Sequence, residues 1–256
     1  MEKAPAKAVC IGVNQYLRHH DNLCSRGAMC PKCESRRASQ RAWSLTKRLE
    51  KDVEWAEDWD GQMQLGVLTV TLPGRKSSIR GGSLRQQYNY MTERKTLPYK
   101  VGHHSMRGLN SWLADAGVTG GCHNIEFTYN SRAEQWNTHM HSVLVGTTID
   151  QEKFPLKSTT EEIEEDGQLL LKKIVGGRFS TKLDKFGFGR RYSLDWAEPH
   201  EWESQIRYCA KVAYMTKPIK APAGKRKELR RFFSGVDGGK SPRLSRPIGD
   251  WRKQPV

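Results

Sequence analysis

The apolar positions of this chain change period along its length. Ala38, Ala42, Leu45, Leu49, Val53 and Ala56 recur at three- and four-residue steps. That spacing is one stripe of a long helix, with Ser35 placed to cap it. Leu68-Thr69-Val70-Thr71-Leu72 alternates strictly, which predicts a strand with one buried face, closed by Pro73-Gly74. Helical spacing returns over 83–93 and again over 105–116, where Leu109, Trp112, Leu113 and Ala116 share a side and Gly117 ends the run. Asn124-Ile125-Glu126-Phe127-Thr128-Tyr129 then alternates with period two. A polar connection over 130–135 leads to a second alternating run, Thr138-His139-Met140-His141-Ser142-Val143-Leu144-Val145. The two runs read as an antiparallel hairpin. The acidic run over 161–166 reads as a solvated loop or helix start without chemistry of its own. Strands are expected over 169–175 and 189–194, and a helix opened by Pro199 and stopped by Pro218. Helices follow strands without strict alternation, so the expected class is α+β.

Charge adds a partner to this outline. Among 256 residues, 43 Lys and Arg against 28 Asp and Glu leave a net charge of +15. Such a field attracts polyanions, of which nucleic acid is the commonest in a cell. From residue 218 onward, 11 basic residues face 3 acidic ones, so +8 of the +15 lies there. Gly, Pro and Ser interrupt that stretch, which reads as an extended basic arm with one short helix over 226–233. Lys225, Arg226, Lys227, Arg230 and Arg231 in it, with Arg36, Arg37 and Arg41 on the first helix, are candidate phosphate contacts. Solvated helix faces carry such charges too. No apolar run reaches membrane-spanning length, and the first residues lack the apolar core of an export signal. A cytoplasmic protein with no membrane partner is expected. The outline divides into a zinc-binding N-terminal element with the long helix (1–60), a catalytic domain (61–218) and the basic arm (219–256).

The zinc expectation comes from cysteine spacing. Four of the six Cys fall in the first 33 residues. Without an export signal, metal binding is a better reading of them than disulfides. Cys30-Pro31-Lys32-Cys33 has the spacing that lets two thiolates reach one tetrahedral Zn²⁺. Cys10, Cys24, Cys30 and Cys33 are the candidate ligands of a structural site, with His19 or His20 as a substitute for Cys10. Cys122 and Cys209 have no partner at metal spacing and read as core thiols.

A second metal site is suggested by the hairpin. A strand sends alternate side chains to one face, so His139 and His141 project together. Glu126, on the preceding strand, can face the same side. Two imidazoles and one carboxylate leave coordination positions open for substrate oxygens. They suit Mn²⁺ or Mg²⁺ and would also accept Zn²⁺ or Co²⁺. Farther on, Tyr-x-x-Lys occurs twice, as Tyr208 with Lys211 and Tyr214 with Lys217. Residues three apart on a helix are neighbours, so each Lys can favour its phenolate and contact a phosphate. The two tyrosines lie about 120° apart around the axis. Packing with Tyr208, Val212 and Met215 toward the core would leave Tyr214 with Lys211 and Lys217 on the wet face. That arrangement favours Tyr214 as nucleophile, with Tyr208 as the alternative. A cation that neutralises charge on a scissile phosphate makes attack by a phenol feasible.

The ordered set resembles the rolling-circle replication initiators of the HUH endonuclease superfamily, of the plasmid type with a Cys-rich N-terminus. The resemblance is carried by Cys24 with Cys30-Pro31-Lys32-Cys33 and Arg36-Arg37-Ala38, by Leu68-Thr69-Val70-Thr71, by Ile125-Glu126-Phe127-Thr128-Tyr129-Asn130, by Trp136-Asn137-Thr138-His139-Met140-His141-Ser142-Val143-Leu144 and by Tyr214-Met215-Thr216-Lys217. Trp251 has a looser counterpart. The resemblance implies a central antiparallel sheet with flanking helices. It also implies an enzyme that nicks one strand of origin DNA through a 5′-phosphotyrosine link, frees a 3′-OH to prime replication and later rejoins the strand. Where relatives often carry Lys before the nucleophile, this chain has Ala213. Where some carry a Glu four residues before it, Ala210 stands before Tyr214 and Ser204 before Tyr208. The partners implied are single-stranded or hairpin origin DNA and, since no Gly-x-x-x-x-Gly-Lys-Ser/Thr loop is present, a host helicase and polymerase. A transposase of the same superfamily and a non-catalytic zinc-containing nucleic-acid-binding protein are the alternatives.

Overall fold

The structure is a computed structural model. It describes residues 10–12, 15–16, 31–58, 62–73, 78–92, 105–154, 160–165, 168–173, 178–190, 192–213, 221–234 and 242–252. Two short strands, β1 (Cys10–Gly12) and β2 (Gln15–Tyr16), precede the long helix α1 (Pro31–Glu57). Next come β3 (Gln64–Thr71), α2 (Ser78–Gly81), α3 (Leu84–Thr92) and α4 (Ser105–Asp115). The central hairpin is β4 (Gly120–Asn130) and β5 (Gln135–Gly146). It is followed by β6 (Thr160–Glu165), β7 (Gln168–Lys173), α5 (Arg178–Lys185), β8 (Tyr192–Ala197), α6 (Trp202–Ala213), α7 (Ala223–Ser234) and β9 (Ser245–Gly249).

Five of these strands form one sheet in the order β8-β3-β5-β4-β9, and every neighbouring pair is antiparallel. The class is therefore α+β, with helices on both faces of a central antiparallel sheet. Strand periodicity decides which side chains meet which layer. Leu68, Val70, Leu72, Ile125, Phe127, Met140 and Leu144 lie on one face. They pack with α3, α4, α5 and α7 in the larger core. Leu65, Val67, Cys122, Val143 and Val145 lie on the other face, under Leu45 and Leu49 of α1 and Ile206 and Cys209 of α6. The α1 stripe is buried as its spacing requires, with Val53 only partly covered. The helix begins four residues before Ser35, at Pro31, whose fixed φ suits a first helical position. Ser35 is consequently interior, and its carbonyl accepts the Ser39 hydroxyl.

Two segments differ from expectation. The acidic run forms a strand, with Glu161 opposite Lys172 and Thr160 opposite Lys173 in the β6–β7 register. Opposite charges at facing positions favour such a pairing. The basic C-terminal stretch is not a free arm. Its helix α7 buries Leu229 and Phe232 in the larger core, and β9 closes the sheet beside β4. Trp251 then folds over Gly120, where a side chain would meet the indole at 2.7 Å. The Trp251 carbonyl accepts a bond from Arg48 of α1, and its indole N–H donates to Asp52. Among the described residues no helix is long and apolar enough to cross a membrane.

Candidate active site

The face covered by α1 and α6 is apolar at one end and polar at the other. Along β5, Val145 and Val143 give way to His141 and His139 at the same alternate positions. The register extends the change across neighbouring strands. Thr69 of β3 and Asn124 of β4 stand opposite His141, and Thr71 and Glu126 stand opposite His139. Six polar residues from three strands thus share one patch.

Within this patch His141 is the best-held group. Its side chain is 7% exposed, and its two ring nitrogens have separate partners. Nδ1 lies 3.0 Å from Thr69 Oγ1, and Nε2 lies 3.1 Å from Glu126 Oε2. A hydroxyl can donate or accept, so Thr69 supports either neutral tautomer. With the Thr69 hydroxyl donating to Nδ1, Nε2–H donates to the carboxylate. With Nδ1–H donating to Thr69, the Nε2 lone pair faces Glu126, and only a cation between them makes that arrangement favourable. This is the orientation of a metal-ligating histidine supported from behind. In kind, the donor set fits a divalent ion. Its present spacing is looser: the His139 and His141 rings are 6.5 Å apart. Among the described residues no three His, Cys, Asp or Glu side chains are grouped to hold one ion. Binding through all three groups requires His139 to turn toward Glu126, its cross-strand neighbour.

Helix α6 supplies the phenol. Ile206, Cys209 and Ala210 face the sheet and are buried. Tyr208 is not a core residue, contrary to the packing expected from its helical spacing. It is 51% exposed, and its ring meets the His141 ring edge-on, with centroids 5.7 Å apart at 88°. Desolvation against the sheet, then the negative charge of Glu126 and then Cys209, raise its pKa above the ordinary phenol value. The resting phenol is therefore protonated. The backbone of Lys211 continues α6, while its side chain, and all of Tyr214 and Lys217, lie outside the described residues.

The remaining candidates are dispersed. Arg41 turns inward, its Nε donating to Ser245 Oγ at 3.0 Å and its Nη2 lying 3.4 Å from Cys122 Sγ, so it braces α1 against the sheet. Arg36 and Arg37 are exposed on α1. Helix α7 packs on the sheet face opposite the histidine patch. There Lys225 pairs with Glu228, Arg226 donates to the Ala221 carbonyl, and Lys227, Arg230 and Arg231 are exposed. Cys122 and Cys209 are buried free thiols, as expected, and burial, followed by the nearby Cys122, pushes the Cys209 thiol up to about 12. Of the zinc candidates, Cys10 falls in β1 and Cys33 in α1, with side chains outside the described residues. Cys24, Cys30, His19 and His20 lie outside them altogether. Sequence reasoning missed Thr69 as a partner of His141. The signal was present: alternation puts Thr69 and Thr71 on the face that the hairpin register gives to the histidines.

Comparison of the chain with protein-family models, with curated proteins and with solved structures finds no match.

Proposed function

We propose that the chain is a metal-dependent single-strand DNA endonuclease and strand transferase that initiates rolling-circle replication. The observation that carries this reading is Tyr208: an accessible phenol lies edge-on to an imidazole that Thr69 and Glu126 hold between them. An Mn²⁺ or Mg²⁺ ion held by His139, His141 and Glu126 would withdraw charge from the scissile phosphate. The Tyr208 oxygen attacks phosphorus and its proton leaves to solvent. The Tyr–O–P bond forms, the P–O3′ bond breaks, and the departing 3′ oxygen takes a proton from water. One phosphodiester replaces another, so the strand can later be rejoined without an energy source. Tyr208 thereby takes the first claim to the nucleophile's role, with Tyr214 second. The site tolerates a transposase equally, since the transesterification is the same.

The test uses labelled single-stranded oligonucleotides tiled across the DNA next to the gene, incubated with protein and Mn²⁺. A protein–DNA adduct that survives boiling in denaturant is expected, and Tyr208→Phe abolishes it. An adduct that persists in Tyr208→Phe and vanishes in Tyr214→Phe transfers the role to Tyr214. Salt-sensitive binding without an adduct under any divalent metal leaves the non-catalytic alternative. The cysteine cluster is proposed to hold one structural Zn²⁺, and a zinc content well below one per chain in dialysed, folded protein rejects it.

A further inference from the structure

Trp43 is 66% exposed in the middle of α1. It walls a cleft of about 310 Å³ between α1 and α6, floored by Ala38 and Ala42 and rimmed by Lys47, Glu203 and Arg207. The short floor residues leave space between the helices where larger side chains would fill it. The result is a flat aromatic wall, an apolar floor and a rim that both donates and accepts hydrogen bonds. A nucleobase has the matching chemistry, with two apolar faces and a polar edge. Its phosphate is matched less well, because Lys47 and Arg207 of the lining are already ion-paired with Glu50 and Glu203. A base would enter with its backbone outside, and Arg36 and Arg37 are exposed on the turn of α1 before Ala38. Helix α6 carries both Arg207, which lines the cleft, and Tyr208, whose ring meets His141.

We propose that the α1–α6 cleft is a base-binding subsite: one nucleobase of single-stranded DNA stacks on Trp43 and so holds its strand across Tyr208. The placement of the strand rests on the nicking reading, whereas the stacking does not. Lys47 and Arg207 are paired with Glu50 and Glu203 on their own helices, so the rim acts through hydrogen bonds to the base edge rather than through net charge.

The probe is a single-stranded thymidine oligonucleotide carrying one 2-aminopurine, whose fluorescence falls on stacking. Quenching on binding is expected with the wild-type protein. In Trp43→Ala the quenching disappears and affinity drops at least ~5-fold, the low end of base–aromatic stacking, and Trp43→Tyr recovers most of both. Trp55→Ala removes the other exposed Trp of α1 and is expected to change neither. Wild-type binding and quenching in Trp43→Ala overturn the proposal, as does an equal loss in Trp55→Ala. It is likewise overturned if Trp43→Ala weakens self-association in sedimentation while DNA binding is intact, because the cleft then serves a second copy of the chain. An adduct unaffected by Tyr208→Phe, with quenching still dependent on Trp43, sinks the Tyr208 assignment and leaves the subsite standing.

Discussion

His123 makes the fold acid-labile by an amount that can be worked out. The residue is fully buried on β4, on the sheet face opposite the proposed site. Its Nε2–H donates to Asn110 Oδ1 at 2.6 Å, and its Nδ1 accepts from the Ser142 hydroxyl at 2.7 Å. Both nitrogens are satisfied in the neutral ring, and a second proton would reverse the bond from Ser142 and leave a charge in a fully buried site. Burial, and then the positive charges of Arg252 and Arg246, push its pKa down from 6.5 to about 3. The unfolded chain takes up that proton below about pH 6.5, and the folded chain refuses it until about pH 3. Stability from this residue is therefore complete above about pH 6.5 and declines as pH falls, at ~1.4 kcal/mol per pH unit. Over the whole window the loss is roughly 5 kcal/mol, and between pH 7 and pH 5 it is about 2 kcal/mol. For a chain of this size that corresponds to a fall in Tm of roughly 4–8 °C. Urea unfolding at pH 7, 6 and 5 measures it, with His123→Gln as the reference. The variant starts less stable but declines less steeply, by the stated amount. Parallel pH dependences in the two proteins, or a buried imidazole resonance titrating near 6.5, would refute the reasoning.

Three further outcomes follow from described contacts. Trp251→Ala empties a buried indole site on Gly120 and frees Asp52, and should cost about 3–5 kcal/mol in chemical denaturation; a loss under 1 kcal/mol would mean that the C-terminal turn does not fasten α1. Thr69→Val keeps the β-branched shape and removes the hydroxyl behind His141, so the proposed nicking and the proposed metal affinity should fall ~10- to 100-fold with the melting temperature little changed. Unchanged metal affinity would deny Thr69 its positioning role. Asp52 has a raised pKa, chiefly from burial, so its charge opposes folding at neutral pH; relief begins as pH falls through that raised value and is complete only below the ordinary carboxylate range. Asp52→Asn retains an oxygen to accept from Trp251, and should match or exceed wild-type stability at pH 7 and lose that advantage in acid; a clear loss at pH 7 counts against it.

The hairpin of β4 and β5 was legible because its period-two alternation is long and its connection is polar, and the same alternation placed His139, His141 and Glu126 on one face. Helix α1 was equally legible from one apolar stripe. Tyr208 was not. It lies six positions before Tyr214 in the sequence, and spacing alone assigned it to the core with Val212 and Met215. Among the described residues the core positions of α6 are Ile206, Cys209 and Ala210, and Tyr208 is exposed. Which side of a helix is wet depends on where the sheet beneath it turns polar, and that is set by a register no helical wheel contains. Strand β9 was hidden for a different reason. Ser245-Arg246-Pro247-Ile248-Gly249 has one large apolar residue and a proline, the composition of a loop. An edge strand accepts both, since only one of its sides is paired.

That edge strand is also among the last parts of the sheet to leave the ribosome. Its register partners, Gly120 to Asn124, are synthesised more than a hundred residues earlier. Until 245–249 emerge, β4 presents an open row of amide and carbonyl groups two residues from Glu126, a template for pairing with another nascent chain. Stalled translation should therefore yield insoluble fragments rather than a soluble, partly formed sheet.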